Sequence, residues 1–473
     1  MAVAARERGL LVDGEWVETG EWQEVKSPYS GEVVGRVARA DTALTTRAID
    51  AAERAMAEPV PAHRRAEILD RVAQLLTDRR AEAADTICAE AGKPLKAARL
   101  EAERAASTYT MAAVEARKLS GEVVPMDASV AGAGKVAFTL RTPIGIVGAI
   151  SPFNFPLNLV AHKIAPALAA GCAVVLKPAG QTPLSALLLA ELETEAGLLP
   201  GWLNVLVGPA SAIGDTLVGD QRIKMLTFTG SGEVGWSLRE RAARKKVSLE
   251  LGNSTPVLVE ADADIEEAAS KLAAHAFSFA GQSCISVQRI YVRRAAYEEF
   301  ISRFVPKVEA LAVGDPADEA TDVGPVIDAD ARERIGAWIE EARAGGATVL
   351  TGGEAGGLLR PTVLADVAPE MKVACEEVFG PVCTVSLYDT LEEGLELANS
   401  TRFGLQAGIF TGSVASALAA ARGLEFGGVT VNEAPTFRAD QMPYGGVKDS
   451  GNTKEGPAWT VREMTEERLV VLA

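Results

Sequence analysis

The sequence contains few of the residues that build disulfide frameworks and clustered metal sites. Its 473 residues include five cysteines and three histidines, and no two cysteines form a CxxC pair. An odd number of dispersed cysteines is not typical of a disulfide scaffold, and zinc sites usually draw on clustered Cys and His ligands. We therefore expect a protein that binds no metal.

Basic residues are also scarce relative to acidic ones. Lys and Arg total 47 and Asp and Glu total 64, which gives a net charge of −17, and no basic tract is longer than Arg244–Lys246. Such an excess of negative charge repels nucleic acid and anionic lipid. The charge therefore predicts no nucleic-acid partner.

Long hydrophobic runs are absent from the sequence as well. The longest, Ile164–Leu176, has 13 residues and includes Pro166 and Gly171, whereas a bilayer span needs about 20 residues. The first eight residues lack the apolar core of a secretion signal. We expect no membrane association and a cytoplasmic location.

The chain divides into a helical first part and two successive α/β series. Between 41 and 121 the apolar positions recur every three or four residues, which predicts helices with a break at Gly92–Pro94. From 143 to 251, and again from 257 to 431, short apolar runs that fit buried strands alternate with helical segments. This alternation predicts two largely parallel sheets, and hence two lobes with a ligand-binding cleft between them.

Some segments fit neither series. The first 35 residues predict short strands joined by turns, and the segments 122–142 and 457–473 contain the short strand candidates Val136–Leu140 and Arg468–Leu472. These pieces are expected to lie outside the two lobes.

A glycine-rich motif follows one of the predicted strands. Gly230-Ser-Gly-Glu-Val-Gly235 matches G-x-G-x-x-G at a strand-to-helix junction, where a helix N-terminus can bind phosphate. Glu250 lies 20 residues after Gly230, at the position of the ribose-binding acid of a dinucleotide site. A tight turn without a ligand explains the same glycines equally well, so this motif alone leaves both interpretations open.

Three polar residues near predicted strand ends are possible catalytic groups. Cys284 lies in a helix-to-strand junction, where backbone N–H groups can favour a thiolate, although most cysteines are small core residues. Glu250 lies in an apolar strand, so its carboxyl group is either a tuned acid or base or part of a buried ion pair. Asn154 stands between two prolines and could cap a helix or donate to an oxyanion.

Eight motifs, taken in order, closely resemble those of the aldehyde dehydrogenase superfamily. The resemblance covers nearly the whole chain and is nearest to the branch of lactaldehyde, non-phosphorylating glyceraldehyde-3-phosphate and phosphonate-aldehyde dehydrogenases. The motifs are Pro143-Ile-Gly-Ile-Val, Pro152-Phe-Asn-Phe-Pro156, Lys177-Pro-Ala-Gly-Gln-Thr-Pro183, Phe228-Thr-Gly-Ser231, Leu249-Glu-Leu-Gly252, Gly281-Gln-Ser-Cys284, Glu376-Glu-Val-Phe-Gly-Pro381 and Pro443-Tyr-Gly-Gly-Val-Lys-Asp-Ser-Gly451.

The resemblance implies a non-acylating, NAD(P)-dependent aldehyde dehydrogenase. It implies that Cys284 attacks the aldehyde carbon, that the Asn154 amide and the Cys284 backbone N–H hold the oxyanion, and that Glu250 activates water against the thioester. In this family the ribose is held elsewhere, so we withdraw the dinucleotide interpretation of Glu250. A CoA-acylating enzyme generally lacks this glutamate and a catalytically retired structural homologue usually lacks the cysteine, so both alternatives are disfavoured.

The resemblance also implies a site for NAD or NADP. Lys177 is expected to contact the adenine ribose, and Glu377 the hydroxyls of the nicotinamide ribose. Gly180 stands where many NAD-preferring members carry a glutamate that binds both adenine-ribose hydroxyls, so a 2′-phosphate is not repelled and NADP becomes possible. The expected cofactor-binding residues are Ile150, Ser151, Phe153, Lys177, Ala179, Gly180, Gly230, Ser231, Leu251, Glu377 and Phe379.

Three cationic or donor residues bear on the substrate. Arg104 and His162 fall at positions that commonly line the substrate channel in the family, and Arg438 precedes a motif at its mouth. They predict a small aldehyde that carries a phosphonate, phosphate or carboxylate group. The alternatives are surface salt bridges for the arginines, a satisfied helix histidine, and neutral small aldehydes such as lactaldehyde as substrates.

The family resemblance completes the predicted organisation. It implies an α/β aldehyde dehydrogenase fold with a Rossmann-like cofactor-binding domain (1–121 and 143–249) and a catalytic domain (250–445). A β-arm (122–142 and 446–473) is expected to reach across a dimer, as a homodimer or a tetramer of dimers.

Overall fold

The computed structural model describes residues 6–242 and 244–473. The strands are β1 (Arg6–Arg8), β2 (Leu10–Val12), β3 (Glu15–Val17), β4 (Trp22–Lys26), β5 (Val33–Ala38), β6 (Val123–Val124), β7 (Val136–Pro143), β8 (Ile146–Ile150), β9 (Val174–Lys177), β10 (Leu203–Val205), β11 (Ile223–Thr229), β12 (Lys246–Glu250), β13 (Thr255–Val259), β14 (Val287–Arg293), β15 (Thr348–Thr351), β16 (Glu354–Ala355), β17 (Leu358–Leu359), β18 (Thr362–Ala365), β19 (Val382–Tyr388), β20 (Gln406–Phe410), β21 (Gly428–Val431) and β22 (Thr465–Leu472).

Helices cover both large sheets and fill the segment before them. The α-helices are α1 (Thr42–Met56), α2 (Ala62–Asp78), α3 (Arg80–Ala91), α4 (Leu95–Lys118), α5 (Asn158–Ala170), α6 (Leu184–Glu195), α7 (Ala210–Gly219), α8 (Gly232–Arg241), α9 (Ile265–Ala276), α10 (Tyr297–Glu309), α11 (Ala329–Ala344), α12 (Lys372–Cys375), α13 (Leu391–Asn399), α14 (Val414–Gly423) and α15 (Pro457–Glu463). Within the described residues, none of these helices is both long and apolar enough to span a bilayer.

The first large sheet has the strand order β12-β11-β8-β9-β10-β2-β3. Its first five strands run parallel, and β2 and β3 extend it with antiparallel pairing. Buried β-branched and leucine side chains make up these parallel strands, as expected for a sheet covered on both faces. The predicted parallel sheet is confirmed, and the short strands foreseen near the N-terminus are partly its edge.

The second large sheet has the order β15-β18-β19-β14-β13-β20-β21. All its pairs are parallel except β15 with β18. The sequence pattern did not predict β15 or β18, because β15 is largely exposed and β18 has only four residues after Pro361. Two α/β sheets in series are otherwise as predicted.

A third sheet, β22-β7-β6, lies outside both large ones. Strand β22 pairs antiparallel with the whole of β7, from Thr465 opposite Pro143 to Leu472 opposite Val136. Of the predicted arm segment 446–473, only the eight residues of β22 belong to this three-stranded sheet. Helix α15, which lies in the same segment, packs against α4 and α5 of the first part of the chain. The division into domains stays a prediction.

The helix predicted over 263–280 ends early. Helix α9 stops at Ala276, and a 3₁₀ turn over Ser278–Gly281 follows, in which Phe279 and Ala280 have φ values of 50° and 53°. This left-handed backbone is uncommon for residues with a side chain. The turn reverses the chain just before Cys284.

Candidate active site

A cavity of about 160 Å³ opens beside the end of this turn. Cys284 lines it together with Arg104, Arg438, Tyr444 and Phe155. Helix α4 supplies Arg104, and the loops after β8 and β21 supply Phe155 and Arg438. Residues from both lobes therefore form one concave surface around the thiol, as ligand pockets between lobes generally do.

Cys284 is partly buried and lines this cavity. Its Sγ lies 2.8 Å from the Tyr444 hydroxyl oxygen. Burial raises the pKa of Cys284 to about 12, and the nearby Glu377 and Glu250 charges add to the effect. That backbone N–H groups at this junction favour the thiolate stays a prediction, and desolvation acts against it.

Glu250 ends β12 at the carboxyl edge of the first sheet. Only 4% of it is exposed, and neither carboxylate oxygen has a hydrogen-bond partner within the described part of the chain. Burial, reinforced by the charge of Glu455, raises the pKa of Glu250 well above its usual range. A Cβ atom at Gly445 would lie 2.6 Å from Glu250 Oε1, so glycine there leaves room for the carboxyl group.

Asn154 lies beside the loop that carries the cysteine. Its Nδ2 donates to the Gln282 carbonyl oxygen at 2.9 Å, and its backbone oxygen accepts from Lys93 Nζ at 2.6 Å. The amide group has two N–H donors, so one remains after the bond to Gln282. Lys93 is fixed in turn by a fully buried ion pair with Glu101.

The two arginines of the cavity are each paired with a buried carboxylate. Arg104 Nη2 lies 2.9 Å from Asp440 Oδ1, and Arg438 Nη2 lies 2.8 Å from Glu455 Oε2. Despite burial, the hydrogen bond with His162 and the Arg104 charge hold the pKa of Asp440 well below its usual range. The arginines are therefore not surface residues but fixed charges of the cavity wall.

His162 does not reach the cavity, which corrects the expectation that it lines the substrate channel. It is fully buried in α5, and its Nε2 lies 3.1 Å from Asp440 Oδ1 and 3.4 Å from Arg438 Nη2. Burial, with the charge of Arg438, lowers the pKa of His162. It contacts the groups behind the arginines rather than the space in front of them.

The residues expected to bind the cofactor gather at the carboxyl ends of parallel strands, where α/β sheets generally bind nucleotides. Ser151 follows β8, Lys177 ends β9, Ser231 follows β11 and Leu251 follows β12. The neighbours of these residues, Ile150, Ala179, Gly180 and Gly230, share the same edge. The structure thus brings together the set that the motifs indicated in separate stretches of sequence.

Two of the expected cofactor-binding residues contact each other across the lobes. The rings of Phe153 and Phe379 meet edge to face, with centroids 5.7 Å apart. Glu377, two residues before Phe379, is half-buried and accepts from the Asn253 backbone N–H at 3.0 Å. Burial raises the pKa of Glu377 to about 7.

The strand edge has the features that a dinucleotide requires. The Ser151 hydroxyl is buried without a hydrogen-bond partner in the described chain. No atom lies within 4 Å of the point where a Cβ of Gly232 would stand, which leaves the N-terminus of α8 open to an anion. Burial lowers the pKa of Lys177, whose Nζ reaches only the Pro178 carbonyl at 3.5 Å. These unfilled polar groups fit NAD or NADP.

Sequence reasoning missed the acidic partners of the cavity. Asp440 and Glu455 stand 336 and 17 positions from Arg104 and Arg438, respectively, and no local pattern links them. Tyr444 lies within one of the eight motifs, but nothing in its spacing indicated contact with the thiol. Lys93 interrupts the helical segment between a glycine and a proline, and that break was its only signal.

The family follows from the whole chain. The protein-family sequence model for the "Aldehyde dehydrogenase family" matches residues 16–470. The chain therefore belongs to the aldehyde dehydrogenase family, which confirms the resemblance, the fold and the enzyme class predicted from the motifs. Members of this family oxidise aldehydes with NAD or NADP as the electron acceptor.

One curated protein and two solved structures are similar to this chain over nearly its whole length. The chain is 45% identical over 468 residues to "3-sulfolactaldehyde dehydrogenase" of Priestia aryabhattai, covering 99% of this chain and 98% of that one. It matches the crystal structure of aldehyde dehydrogenase 21 from Physcomitrella patens in complex with the reaction product succinate, with a TM-score of 0.96, 40% identity and 99% coverage of each chain. It also matches an NADP-dependent glyceraldehyde-3-phosphate dehydrogenase from Bacillus halodurans C-125 complexed with NADP, with a TM-score of 0.95, 38% identity and coverage of 98% and 99%.

Proposed function

We propose that this enzyme oxidises a small aldehyde bearing an anionic group to the carboxylic acid, through a covalent intermediate on Cys284. One observation carries the substrate class. The Nε atoms of Arg104 and Arg438 and the hydroxyl of Thr436 are buried without hydrogen-bond partners in the described chain, and all three residues line the cavity of Cys284. Three unused polar groups beside a nucleophile suit an anionic substituent.

The charge of the cavity supports the same class. Each guanidinium has five N–H donors, and the carboxylates of Asp440 and Glu455 engage only part of them. The acidic partners orient the arginines and leave the Nε–H group of each without a hydrogen-bond partner in the described chain. Because the whole chain carries a net charge of −17, an anionic substrate needs such local donors.

The chain's own residues supply the remaining chemistry. The Cys284 thiolate forms a bond to the aldehyde carbon while the π-electrons of the carbonyl move to its oxygen. The second N–H of the Asn154 amide, with the Cys284 backbone N–H, stabilises this oxyanion. Bound NAD or NADP would supply the hydride acceptor that oxidation of the aldehyde requires. Glu250 then accepts a proton from the water that attacks the thioester, releasing the acid and the free thiolate.

Three similar proteins support this substrate class through the compounds that their names contain. One acts on sulfolactaldehyde, one was solved with its reaction product succinate, and one acts on glyceraldehyde-3-phosphate. These compounds carry a sulfonate, a second carboxylate and a phosphate. The anionic group differs among the three compounds, but each compound has one.

Paired substrates test the proposal. Arg104→Ala is assayed with sulfolactaldehyde against lactaldehyde, and with glyceraldehyde-3-phosphate against glyceraldehyde, because each pair differs mainly in the anion. A hydrogen bond to a charged group is worth about 1.5–3 kcal/mol, so kcat/KM for the anionic member is expected to fall roughly 10–150-fold. The neutral member is expected to lose little.

The control is Arg99→Ala, a variant of the same helix. Arg99 is exposed and paired with Glu319, so its loss is expected to affect neither substrate. Equal losses on charged and neutral aldehydes in Arg104→Ala would mean that the arginine only packs the cavity. In that case the neutral-aldehyde alternative, with lactaldehyde as the example, would replace the proposal.

We also propose that the enzyme accepts NADP and acts as a cytoplasmic homo-oligomer. Gly180 presents no carboxylate to a 2′-phosphate, and its carbonyl oxygen accepts from Gln23 Nε2 at 2.6 Å. The sheet β22-β7-β6 exposes several apolar side chains that a second copy could cover, among them Val123, Val136, Leu140 and Leu469. The five cysteines are all free, as is usual in a reducing compartment.

A further inference from the structure

We propose that Tyr444 is a catalytic residue whose hydroxyl donates a hydrogen bond to the Cys284 thiolate. The inference rests on the proposed function, since it assigns a task within the covalent step. The Tyr444 Oη and Cys284 Sγ atoms lie 2.8 Å apart, and Sγ is the one partner of this hydroxyl in the described chain. A thiolate has no proton to give, so in the reactive state the tyrosine must be the donor.

The tyrosine ring is held in place from two directions. Only 3% of Tyr444 is exposed, and its backbone exchanges two hydrogen bonds with Glu455, at 2.9 and 2.5 Å. The Arg438 guanidinium carbon lies 3.9 Å above the ring centroid. Glu455 binds this arginine as well, so one carboxylic residue fixes both the ring and the cation that covers it.

The cation above the ring improves the hydroxyl as a donor. A guanidinium over an aromatic face is attracted by the ring electrons and favours electron withdrawal from the phenolic oxygen. The donor is needed because burial, with two acidic neighbours, disfavours a negative sulfur in this cavity. Tyr444 therefore opposes the desolvation that would otherwise keep the nucleophile protonated.

The test measures thiolate formation without turnover. Iodoacetamide alkylates the thiolate sulfur with loss of iodide, and mass spectrometry of the peptide that contains Cys284 separates it from the other four cysteines. Below the thiol pKa the rate is proportional to the thiolate fraction, so each unit of upward shift slows alkylation ten-fold. In Tyr444→Phe we expect the rate at a fixed pH near 8 to fall about ten-fold or more.

A matched control is available in Tyr388→Phe. Tyr388 is another fully buried tyrosine, and its hydroxyl donates to Glu260 at 2.6 Å, within the second sheet and away from the cavity. Removing that hydroxyl is expected to leave the alkylation of Cys284 unchanged. An unchanged or faster rate in Tyr444→Phe, relative to this control and the wild type, would overturn the proposal.

A second variant covers the case in which Tyr444→Phe fails to fold. Fluorotyrosine placed at 444 keeps the ring and makes the hydroxyl a stronger acid and donor, so alkylation of Cys284 is expected to accelerate. No acceleration would count against the hydrogen bond. Steady-state kinetics separate this role from substrate recognition, because Tyr444→Phe is expected to lower kcat/KM equally for anionic and neutral aldehydes, whereas Arg104→Ala should affect only the anionic ones.

Discussion

Replacing Glu250 with glutamine is expected to convert the enzyme into one that turns over once and then stalls. Neither oxygen of the Glu250 carboxyl has a protein partner in the described chain, so glutamine breaks no hydrogen bond and preserves the shape of the side chain. The nearby negative charge of Glu250 raises the pKa of Cys284. Its removal therefore does not hinder formation of the thiolate, and acylation should remain fast.

The deacylation step is expected to suffer instead. General base catalysis typically contributes about 10²–10⁴-fold, so the steady rate of Glu250→Gln should fall by that factor. Stopped-flow absorbance at 340 nm should then record a burst of about one reduced cofactor per active site, followed by the slow phase. Steady turnover at the wild-type rate, or a slow rate without a burst, would remove Glu250 from the hydrolytic step.

Glu193→Gln serves as the control, because Glu193 is also fully buried with a raised pKa but lies in α6, bonded to Tyr109. It should show no burst.

Stability supplies a further check on Glu250. A carboxyl group whose folded pKa is raised stabilises the fold at low pH and loses this contribution as pH rises through the folded pKa. The melting temperature of wild type should therefore fall relative to that of Glu250→Gln as the pH increases.

Two further predictions concern the cofactor. Gly180→Glu should shift the NADP/NAD ratio of kcat/KM toward NAD by repelling the 2′-phosphate. Gly180→Gln, which has the same size without the charge, should shift this ratio much less. A Cβ at position 180 would lie 3.2 Å from Gln23 Nε2, the end of a flexible side chain. Equal ratios in the two variants would count against charge repulsion. Because the pKa of Glu377 is about 7 and its carboxylate is the expected acceptor for ribose hydroxyls, the cofactor Kd should rise by up to about ten-fold per unit below pH 7 and level off above it. Fluorescence titration of Glu377→Gln should give a flat profile, and an equally steep one would assign the pH dependence to another group.

Cys284, Glu250 and Asn154 could be predicted as candidate catalytic residues from the sequence, because each lies in a short motif of neighbouring residues. Their environments could not be predicted in the same way. Burial disfavours the Cys284 thiolate, and Tyr444, whose hydroxyl contacts the sulfur and favours the thiolate, stands 160 positions away. A local pattern reports which residue types are present, while a pKa depends on everything that surrounds the group.

The substrate residues illustrate the same limit. Arg104 was singled out because it falls at a position that commonly lines the substrate channel in the family, and the cavity includes it. His162 was singled out on the same grounds, yet it is fully buried and is not among the residues that line the cavity. Here every residue of α5 is buried, so no alternation of polar and apolar residues was available to indicate which side faces the cavity.

The covalent mechanism at Cys284 is tested most directly by removing the sulfur. Cys284→Ala is expected to abolish oxidation of the anionic aldehyde while binding NAD or NADP with nearly the affinity of the wild type. Cys375→Ala, which removes a partly exposed cysteine of α12, should retain full activity. Turnover above a trace in Cys284→Ala, measured at 340 nm with the same aldehyde, would contradict the account.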